Sequence, residues 1–293
     1  MKIAIFGKSF QESFTIYMND LVNKLLDNNI EILIFKQFYD FLNEQGVNVK
    51  EKVVVFNQPF TLSDHIDFVL SIGGDGTFLE TVYYVRNNNI PILGINAGRL
   101  GYLANTSENE ISEAIDLLLQ NKYSIEERTL IQIDDKKNIF GDFSSALNEI
   151  SIHRNDSSSL LTIHTYINNE FLNTYWADGL IIATPTGSTA YSLSAGGPII
   201  VPNSENFVIT PIAPHNLTVR PIVISDKNEI ILKVESRSPR YLVTADYRSV
   251  TFDTGIELKI KKADYKVKLV KFKNQSYFNT LRNKLMWGAD KRN

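Results

Sequence analysis

Three glycines and one aspartate stand together in the segment Gly73-Gly74-Asp75-Gly76-Thr77. Glycines at a turn between a strand and a helix let backbone N–H groups approach an anion closely. A carboxylate at such a turn repels a phosphate, so Asp75 needs a different task. It can accept a proton from a hydroxyl, or it can anchor a metal indirectly. An ordinary Asp-Gly turn that caps a helix is the alternative, and this segment alone leaves it open.

A second polar pair, Asn148-Glu149, precedes an apolar segment from Ile150 to His153. An amide next to a carboxylate offers both donors and strong acceptors, which suits a ribose diol or the edge of a base. A polar turn before a strand is the alternative interpretation.

The third segment with chemical potential runs from Asp178-Gly179 through a short apolar stretch to a polar loop, Thr184 to Gly197. That loop holds six serines and threonines and three glycines in fourteen residues. Its hydroxyls and backbone amides favour a cradle for phosphates or a nucleoside, with Tyr191 available for stacking. A purely structural loop is the alternative.

The elements that must position these residues fall into two groups. The first part of the chain alternates short apolar runs with helical stripes, and the glycine–aspartate turn lies between the run Ile66 to Leu70 and a helix reaching about Asn87. This alternation predicts an α/β domain with a Rossmann-like parallel sheet over residues 1–122, with ligands at the carboxyl ends of the strands. A second turn, 96–101, follows another predicted strand and is expected to be a packing loop, with ligand contact as the alternative.

From residue 123 to 273 the apolar segments become short, β-branched and bounded by turns, which predicts an all-β, sandwich-like domain. The predicted strands cover residues 130–133, 150–153, 161–167, 180–183, 207–212, 230–234, 241–244 and 256–260. The last segment, about 274–293, carries an apolar stripe at helical spacing, and we expect it to return to the first domain.

The composition excludes several classes of function. The chain has 293 residues, a net charge of −3 and no cysteine. Disulfides, thiolate catalysis and cysteine-ligated metals are therefore excluded, and nothing indicates binding to nucleic acid. The four histidines are widely spaced and lack a metal-binding motif. The chain opens on a predicted strand, and no apolar run approaches the length that spans a membrane. We expect a cytoplasmic protein without a membrane partner.

Taken in order, these segments resemble the NAD kinase family. The resemblance covers 73–77, 96–101, 148–149, 178–197, 211–221 and 277–281, which together extend over most of the chain. The glycine–aspartate motif by itself also occurs in related form in diacylglycerol kinases, sphingosine kinases and 6-phosphofructokinases. The segment from 178 to 197 is far more specific to the NAD kinase family.

The resemblance implies phosphorylation of the 2′-hydroxyl on the adenosine ribose of NAD by ATP, or by polyphosphate in some members, with a divalent cation such as Mg²⁺. It implies that Asp75 is the proton acceptor and that subunits form homodimers or homotetramers. The implied phosphate-donor contacts are Gly73, Gly74 and Thr77. The implied dinucleotide contacts are Asp75, Gly76, Asn148, Glu149, Asp178, Thr189, Ala190, Tyr191, Ser192, Leu193, Ser194 and Arg248.

Two rival functions remain open at this stage. A lipid or sugar kinase would share the glycine–aspartate motif but would need an apolar pocket or a basic sugar-phosphate site. A non-catalytic dinucleotide sensor would bind NAD without making NADP. The sequence leaves open the range of phosphoryl donors, the choice between NAD and NADH, the metal, the subunit number and feedback regulation.

Overall fold

The structure is a computed structural model that describes residues 1–49, 53–98, 100–134, 138–155 and 160–287. The chain divides into two compact units. Unit 1 contains Met1–Glu127 together with the chain from Val267 onward, and unit 2 contains Arg128–Lys266. The second unit is therefore inserted into the first along the chain.

Unit 1 begins with alternating strands and helices, as the apolar pattern predicts. The strands are β1 (Lys2–Gly7), β2 (Glu31–Phe35), β3 (Val53–Phe56), β4 (Phe68–Ile72) and β5 (Ile92–Ile95). The helices are α1 (Thr15–Asp27), α2 (Lys36–Glu44), α3 (Asp75–Val85) and α4 (Ile111–Leu119).

The five strands form a parallel sheet in the order β5-β4-β1-β2-β3. Strands β1 and β4 are buried almost throughout, because helices cover the sheet and leave apolar runs instead of alternating patterns. The strand order reverses direction between β1 and β4, and such a switch point opens a crevice beyond the carboxyl ends of the strands. The glycine–aspartate turn follows β4 and therefore lies at this crevice.

Unit 2 is built almost entirely from antiparallel strands. They are β6 (Ser124–Asp134), β7 (Ser145–Ala146), β8 (Glu149–Arg154), β9 (Leu161–Ile167), β10 (Glu170–Ala177), β11 (Gly179–Ala183), β12 (Asn206–Ile212), β13 (Ile222–Ser225), β14 (Ile230–Glu235), β15 (Arg240–Ala245), β16 (Arg248–Asp253) and β17 (Leu258–Lys271). The short helix α5 (Tyr191–Ser194) lies in the loop after β11.

The strands of unit 2 form two layers around one core, which matches the predicted sandwich. One layer has the order β13-β12-β11-β8-β15-β16, and the other contains β10-β9-β14-β17 with β6 and β7. Fully buried side chains from both layers pack into a single cluster, including Ile152, Leu180 and Tyr241 from the first layer and Ile163 and Leu232 from the second.

The chain end returns to unit 1. Strand β17 runs on into unit 1, where Leu269 pairs in parallel with Ile92 of β5. Helix α6 (Tyr277–Leu285) follows and buries Leu281. The unit boundaries fall inside the long strands β6 and β17. The compact units divide at 127/128 and 266/267, and the domain boundaries at 122/123 and 273/274 stay predictions from the sequence.

Four strands of unit 2 escaped the sequence analysis, namely β10, β13, β16 and the two-residue β7. Strand β10 has an irregular register between Phe171 and Asn173, which breaks the alternation that reveals a strand. Strands β13 and β16 form the two edges of one sheet. Strand β13 has only four residues and β16 alternates with exposed polar residues, so neither gives a clear apolar pattern. Within the described residues, no helix is both long enough and apolar enough to cross a membrane.

Candidate active site

The turn between β4 and α3 presents backbone at the N-terminus of a helix. Gly73 has φ +148°, and a Cβ there would lie 2.4 Å from Thr77 Oγ1, so only glycine fits. Gly74 and Gly76 are exposed, and a Cβ at either position would meet no atom within 4 Å. The first N–H groups of a helix have no partner within the helix. The turn thus offers an open approach to polarised amides, which suits a phosphate.

Asp75 begins α3, and its carboxylate binds the next loop of unit 1. Oδ2 accepts a hydrogen bond from the Tyr102 N–H at 2.9 Å. Oδ1 accepts from the N–H groups of Leu103 at 2.9 Å and Ala104 at 3.0 Å. A Cβ on Gly101 would lie 2.0 Å from Oδ1, so the loop backbone approaches the carboxylate as closely as glycine permits. Asp75 is therefore fixed in orientation by three donors.

The loop that Asp75 holds follows β5. Gly101 N–H donates to the Ala104 carbonyl at 2.9 Å, which closes a turn, and Gly98 N–H donates to Asn96 Oδ1 at 2.7 Å. The second predicted turn, 96–101, therefore leads directly into the loop bound by Asp75, although Arg99 lies outside the described residues. This arrangement joins two strand-end turns of the parallel sheet through one carboxylate.

Tyr102 is a site residue that sequence analysis missed. Its hydroxyl is buried and has no hydrogen-bond partner among the described residues. Burial, together with the nearby Asp75 carboxylate, raises the pKa of the Tyr102 hydroxyl. The Lys284 ammonium lies 5.9 Å from the centre of the Tyr102 ring. The only sequence signal was its position after Gly101, which does not separate a packing tyrosine from a ligand-binding one.

The Asn148-Glu149 pair in unit 2 lies at the start of β8, as predicted. The Asn148 side chain is half-buried and makes no hydrogen bond to any described residue. The Glu149 carboxyl is buried, and its Oε2 has no hydrogen-bond partner among the described residues. Burial, reinforced by the neighbouring Asp246 carboxylate, raises the pKa of Glu149 to about 8. At neutral pH this carboxyl is mainly protonated and can donate a hydrogen bond to a ligand.

The polar loop after β11 directs most of its hydroxyls inward. Thr184 Oγ1 donates to the Leu147 carbonyl at 2.6 Å, and Ser188 Oγ donates to the Pro185 carbonyl at 2.7 Å. The remaining inward bonds join Arg128 to Thr186, Thr189 to the Thr186 carbonyl, and Ser192 to Thr210. These hydroxyls hold the loop in shape, so the cradle offered to a ligand consists of backbone and the outermost side chains.

The outer part of this loop covers the predicted contacts 189–194. Thr189, Ala190 and Leu193 are half-buried, Ser192 is buried, and Tyr191 and Ser194 are exposed. The Tyr191 ring stacks on His153, with ring centres 5.7 Å apart and planes 16° apart. His153 Nε2 also lies 2.9 Å from Ser151 Oγ, and burial lowers the pKa of His153. A neutral imidazole therefore supports Tyr191 in an orientation that leaves part of its ring open for stacking.

Asp178 lies at the same end of β8 and β11 as Tyr191. Its carboxylate pairs with Arg154 Nη1 at 3.1 Å, and its carbonyl accepts from the Arg154 N–H at 3.0 Å. Gly179 pairs with His153, and Ala183 pairs with Glu149. The two polar groups of unit 2 are therefore four residues apart along β8, or about 13 Å, which is comparable to the length of a dinucleotide.

Arg248 begins β16, directly after the turn that contains Asp246. Its guanidinium donates to the carbonyls of Phe143 and Ser145 and lies 4.5 Å from the centre of the Phe143 ring. The predicted contact residue is thus engaged with the backbone that precedes Asn148. Asp246, His153 and Arg154 are further candidate site residues that carried no sequence signal of their own.

The described residues contain no group of three or more histidines and carboxylates that could hold a metal ion. Mg²⁺ in nucleotide-dependent enzymes is commonly bound through substrate phosphates with one or two protein carboxylates. The single carboxylate of Asp75 at the glycine turn fits a cation that is bound mainly by nucleotide phosphates better than one bound entirely by protein side chains.

An α/β unit with a glycine–aspartate turn at its switch point, and a β-sandwich unit with a polar nucleotide-sized surface, define a nucleotide-dependent phosphotransferase class. Comparison with known proteins makes the assignment specific. The ATP-NAD kinase N-terminal domain matches residues 3–123, and the ATP-NAD kinase C-terminal domain matches residues 147–272. A NAD kinase of Bacteroides fragilis is 50% identical over 295 residues, covering 100% of both chains. The chain belongs to the NAD kinase family.

Two crystal structures share this fold. Yeast NADH kinase complexed with NADH superposes with a TM-score of 0.83 at 24% identity, covering 99% of this chain and 88% of that chain. An NAD kinase from Archaeoglobus fulgidus in complex with ATP has a TM-score of 0.74 at 27% identity, covering 98% of this chain and 99% of that chain. The similarity therefore extends through both units.

Proposed function

We propose that this protein is an NAD kinase that transfers the γ-phosphoryl group of ATP to the 2′-hydroxyl on the adenosine ribose of NAD⁺. The main observation that supports this proposal is the position of the Asp75 carboxylate. It lies at the N-terminus of α3 between two exposed glycines and accepts hydrogen bonds from three backbone N–H groups. Family membership supports this function over a lipid or sugar kinase that shares only the glycine–aspartate turn.

In the proposed reaction the 2′-oxygen forms a bond to the γ-phosphorus while the bond from that phosphorus to the β–γ bridging oxygen breaks. The transition state of phosphoryl transfer is loose, so positioning and charge neutralisation matter more than a strong base. Asp75 orients the hydroxyl and accepts its proton late, and ADP leaves with the bridging oxygen. The amides of Gly74 and Thr77 bind the phosphates of ATP, whereas the expected contact through the Gly73 amide is not available, because that N–H already donates to the Ile95 carbonyl at 2.9 Å. A divalent cation such as Mg²⁺ enters as part of the ATP substrate complex and offsets phosphate charge.

The proposed dinucleotide contacts are Gly76, Asn148, Glu149, Asp178 and the outer loop 189–194. The free amide of Asn148 and the protonated carboxyl of Glu149 suit the hydroxyls and base edge of a nucleoside. Tyr191 supplies a stacking face.

The proposal also includes a cytoplasmic location and a homodimeric or homotetrameric assembly. Cell fractionation tests the location, and light scattering tests the assembly.

One assay tests the activity against both rivals. Purified protein with Mg²⁺ and ATP is offered NAD, NADH, diacylglycerol or fructose 6-phosphate, and NADP formation is followed with an NADP-specific dehydrogenase. We expect NADP from NAD and no phosphorylated lipid or sugar. Replacing ATP with polyphosphate defines the donor range. Binding of NAD without NADP formation under every donor would identify a sensor and overturn the proposal.

A further inference from the structure

The backbone from Leu147 to Glu149 has all of its polar groups paired, and none of the pairs uses a side chain of Asn148 or Glu149. The Asp246 carboxylate accepts from the N–H groups of Leu147 and Asn148, each at 2.8 Å, and Glu149 at 3.3 Å. Thr184 binds the carbonyls of Leu147 and Asn148 through its hydroxyl and its N–H. The Asp246 N–H donates to the Glu149 carbonyl at 3.0 Å.

The turn between β15 and β16 carries two complementary groups that act on this one stretch of chain. Asp246 takes up its donors, while Arg248 donates to the carbonyls of Phe143 and Ser145 just upstream. Asp246 has φ +52°, a left-handed conformation that aspartate tolerates better than most residues. The turn therefore binds the backbone of residues 143–149 through two side chains, with the Asp246 carboxylate accepting from N–H groups and the Arg248 guanidinium donating to carbonyls.

The Asp246 carboxylate lies close to a second carboxyl group, that of Glu149. Asp246 is half-buried, and desolvation of its carboxyl raises its pKa, although the three N–H bonds and Arg248 oppose the rise. The same turn brings that charge beside Glu149, whose buried Oε2 is left without a protein partner. A buried polar atom without a partner indicates a ligand or a water molecule at that point.

We propose that Asp246 and Arg248 form a positioning clamp that fixes the Asn148 and Glu149 side chains for hydrogen bonding to the dinucleotide. This inference rests on the proposed function, because the ligand it serves is NAD. Asp246 and Arg248 act through the backbone and do not touch the ligand. Arg248 is thereby a positioning residue rather than the direct dinucleotide contact that the family resemblance implied.

The clamp and a direct ionic contact by Arg248 predict different outcomes for conservative variants. The two carbonyls are bridged by separate nitrogens of one planar guanidinium, and a single ammonium or a single amide cannot reproduce this fork. If Arg248 acts as a clamp, Arg248→Lys and Arg248→Gln weaken NAD binding alike. If it binds the pyrophosphate through charge, Arg248→Lys retains binding and Arg248→Gln loses it.

The experiment compares Asp246→Asn, Arg248→Lys and Arg248→Gln with the control Asp226→Asn. Asp226 is a buried carboxylate in a different turn of unit 2, and it pairs with Lys262 at 2.5 Å instead of with residues 143–149. The measurements are kcat, the KM values for NAD and for ATP, NAD affinity by calorimetry, and hydrogen exchange of the peptide that contains residues 143–149.

We expect Asp246→Asn to raise the KM for NAD by about 10- to 100-fold, because small misplacements of binding groups have effects of this size. The KM for ATP stays within about 3-fold, and the amides of residues 147–149 exchange faster. Both Arg248 variants shift the KM for NAD in the same direction with faster exchange. Asp226→Asn lowers the unfolding midpoint but leaves the KM for NAD unchanged.

The clamp proposal would be wrong if Arg248→Lys bound NAD with wild-type affinity. It would also be wrong if hydrogen exchange of residues 143–149 were unchanged in all three variants. If Asp246→Asn fails to fold, the two Arg248 variants decide the question. A wild-type protein that binds NAD but makes no NADP refutes the kinase proposal, while affinity and exchange still test the clamp. A wild-type protein that does not bind NAD refutes both.

Discussion

At the scale of single residues, the proposed chemistry depends on two carboxyl groups. Asp75 accepts three backbone N–H bonds, so it is an oriented anion that also shapes the loop after β5. Glu149 is buried without such donors and keeps its proton at neutral pH. Their opposite environments suit opposite tasks, with Asp75 accepting a proton and Glu149 donating a hydrogen bond.

Replacing Asp75 by asparagine tests its role as proton acceptor. The variant Asp75→Asn removes the basic oxygen and places an amide donor opposite one of the loop N–H groups. We expect kcat to fall by about 10²- to 10⁴-fold, the usual contribution of a general base, while NAD binding persists. Steady-state kinetics and calorimetry measure the two quantities separately. Near-normal turnover with intact NAD binding would show that another group accepts the proton.

The raised pKa of Glu149 makes the stability of the protein depend on pH. Between pH 4.5 and about 8 the folded carboxyl holds a proton that the unfolded chain has released. The free energy of unfolding therefore falls as pH rises through this window, because the folded state binds more protons. We expect Glu149→Gln to flatten this slope, measured by urea denaturation at several pH values. An unchanged slope in the variant would assign the effect to other groups, such as Asp246.

At the scale of elements, the site depends on how closely turns approach one another. Strand-to-helix and strand-to-loop turns at the switch point of unit 1 meet through Asp75 and Gly101. In unit 2 the start of β8 lies between the β15–β16 turn and Thr184 of the polar loop. In both units, glycine or a buried hydroxyl allows backbone to pack against backbone at the site.

Two glycines of one loop provide a matched test of this close approach. A methyl group in Gly101→Ala would lie 2.0 Å from Asp75 Oδ1, whereas one in Gly98→Ala would meet nothing within 4 Å. We expect Gly101→Ala to displace the carboxylate and lower kcat by about 10²-fold, a typical cost of misplacing a catalytic group by an ångström. Gly98→Ala keeps wild-type kinetics. Equal activities for the two variants would mean that the loop moves aside without disturbing Asp75.

The sequence revealed the elements more fully than their polar contacts. Periodicity predicts β1, β4, α3 and β9 because each has a clear apolar pattern and a marked turn. The polar loop after β11 is recognisable from composition, yet composition does not show which way a hydroxyl points. Thr184 and Ser188 point inward because their hydroxyls donate to the carbonyls of Leu147 and Pro185, whose positions are set by the fold. Asp246 was hidden for the same reason, since its three donors lie about a hundred residues away in the chain.

At the scale of the whole molecule, one unit is inserted into the other along the chain, and the chain end completes unit 1. The predicted return of the final segment to the first domain agrees with the division into units, because unit 1 includes the chain from Val267 onward, and the Tyr277 ring of α6 lies 6.5 Å from the Tyr102 ring. The boundaries were less accessible to prediction, because β6 and β17 continue through them without a turn.

Helix α6 offers a test of how much the chain end contributes to unit 1. Leu281 is buried, and Phe278 on the same helix is 55% exposed. We expect Leu281→Ala to lower the free energy of unfolding by about 2–4 kcal/mol, as for other buried leucines. Phe278→Ala costs less than about 1 kcal/mol. Urea denaturation measures both, and equal effects would indicate that the helix is not docked through Leu281.

The parallel pairing of β17 with β5 also has a consequence for synthesis on the ribosome. Strands β6 to β16 of the inserted unit are translated before β17. The parallel sheet of unit 1 is complete only after β17 has been translated. The nascent N-terminal part therefore leaves the exit tunnel with the β5 edge paired at Ile95 by Thr106 but without the β17 partner of Ile92. An exposed strand edge can pair with strands of other chains and so cause aggregation until β17 has been translated. The rate of translation therefore affects the yield of native protein.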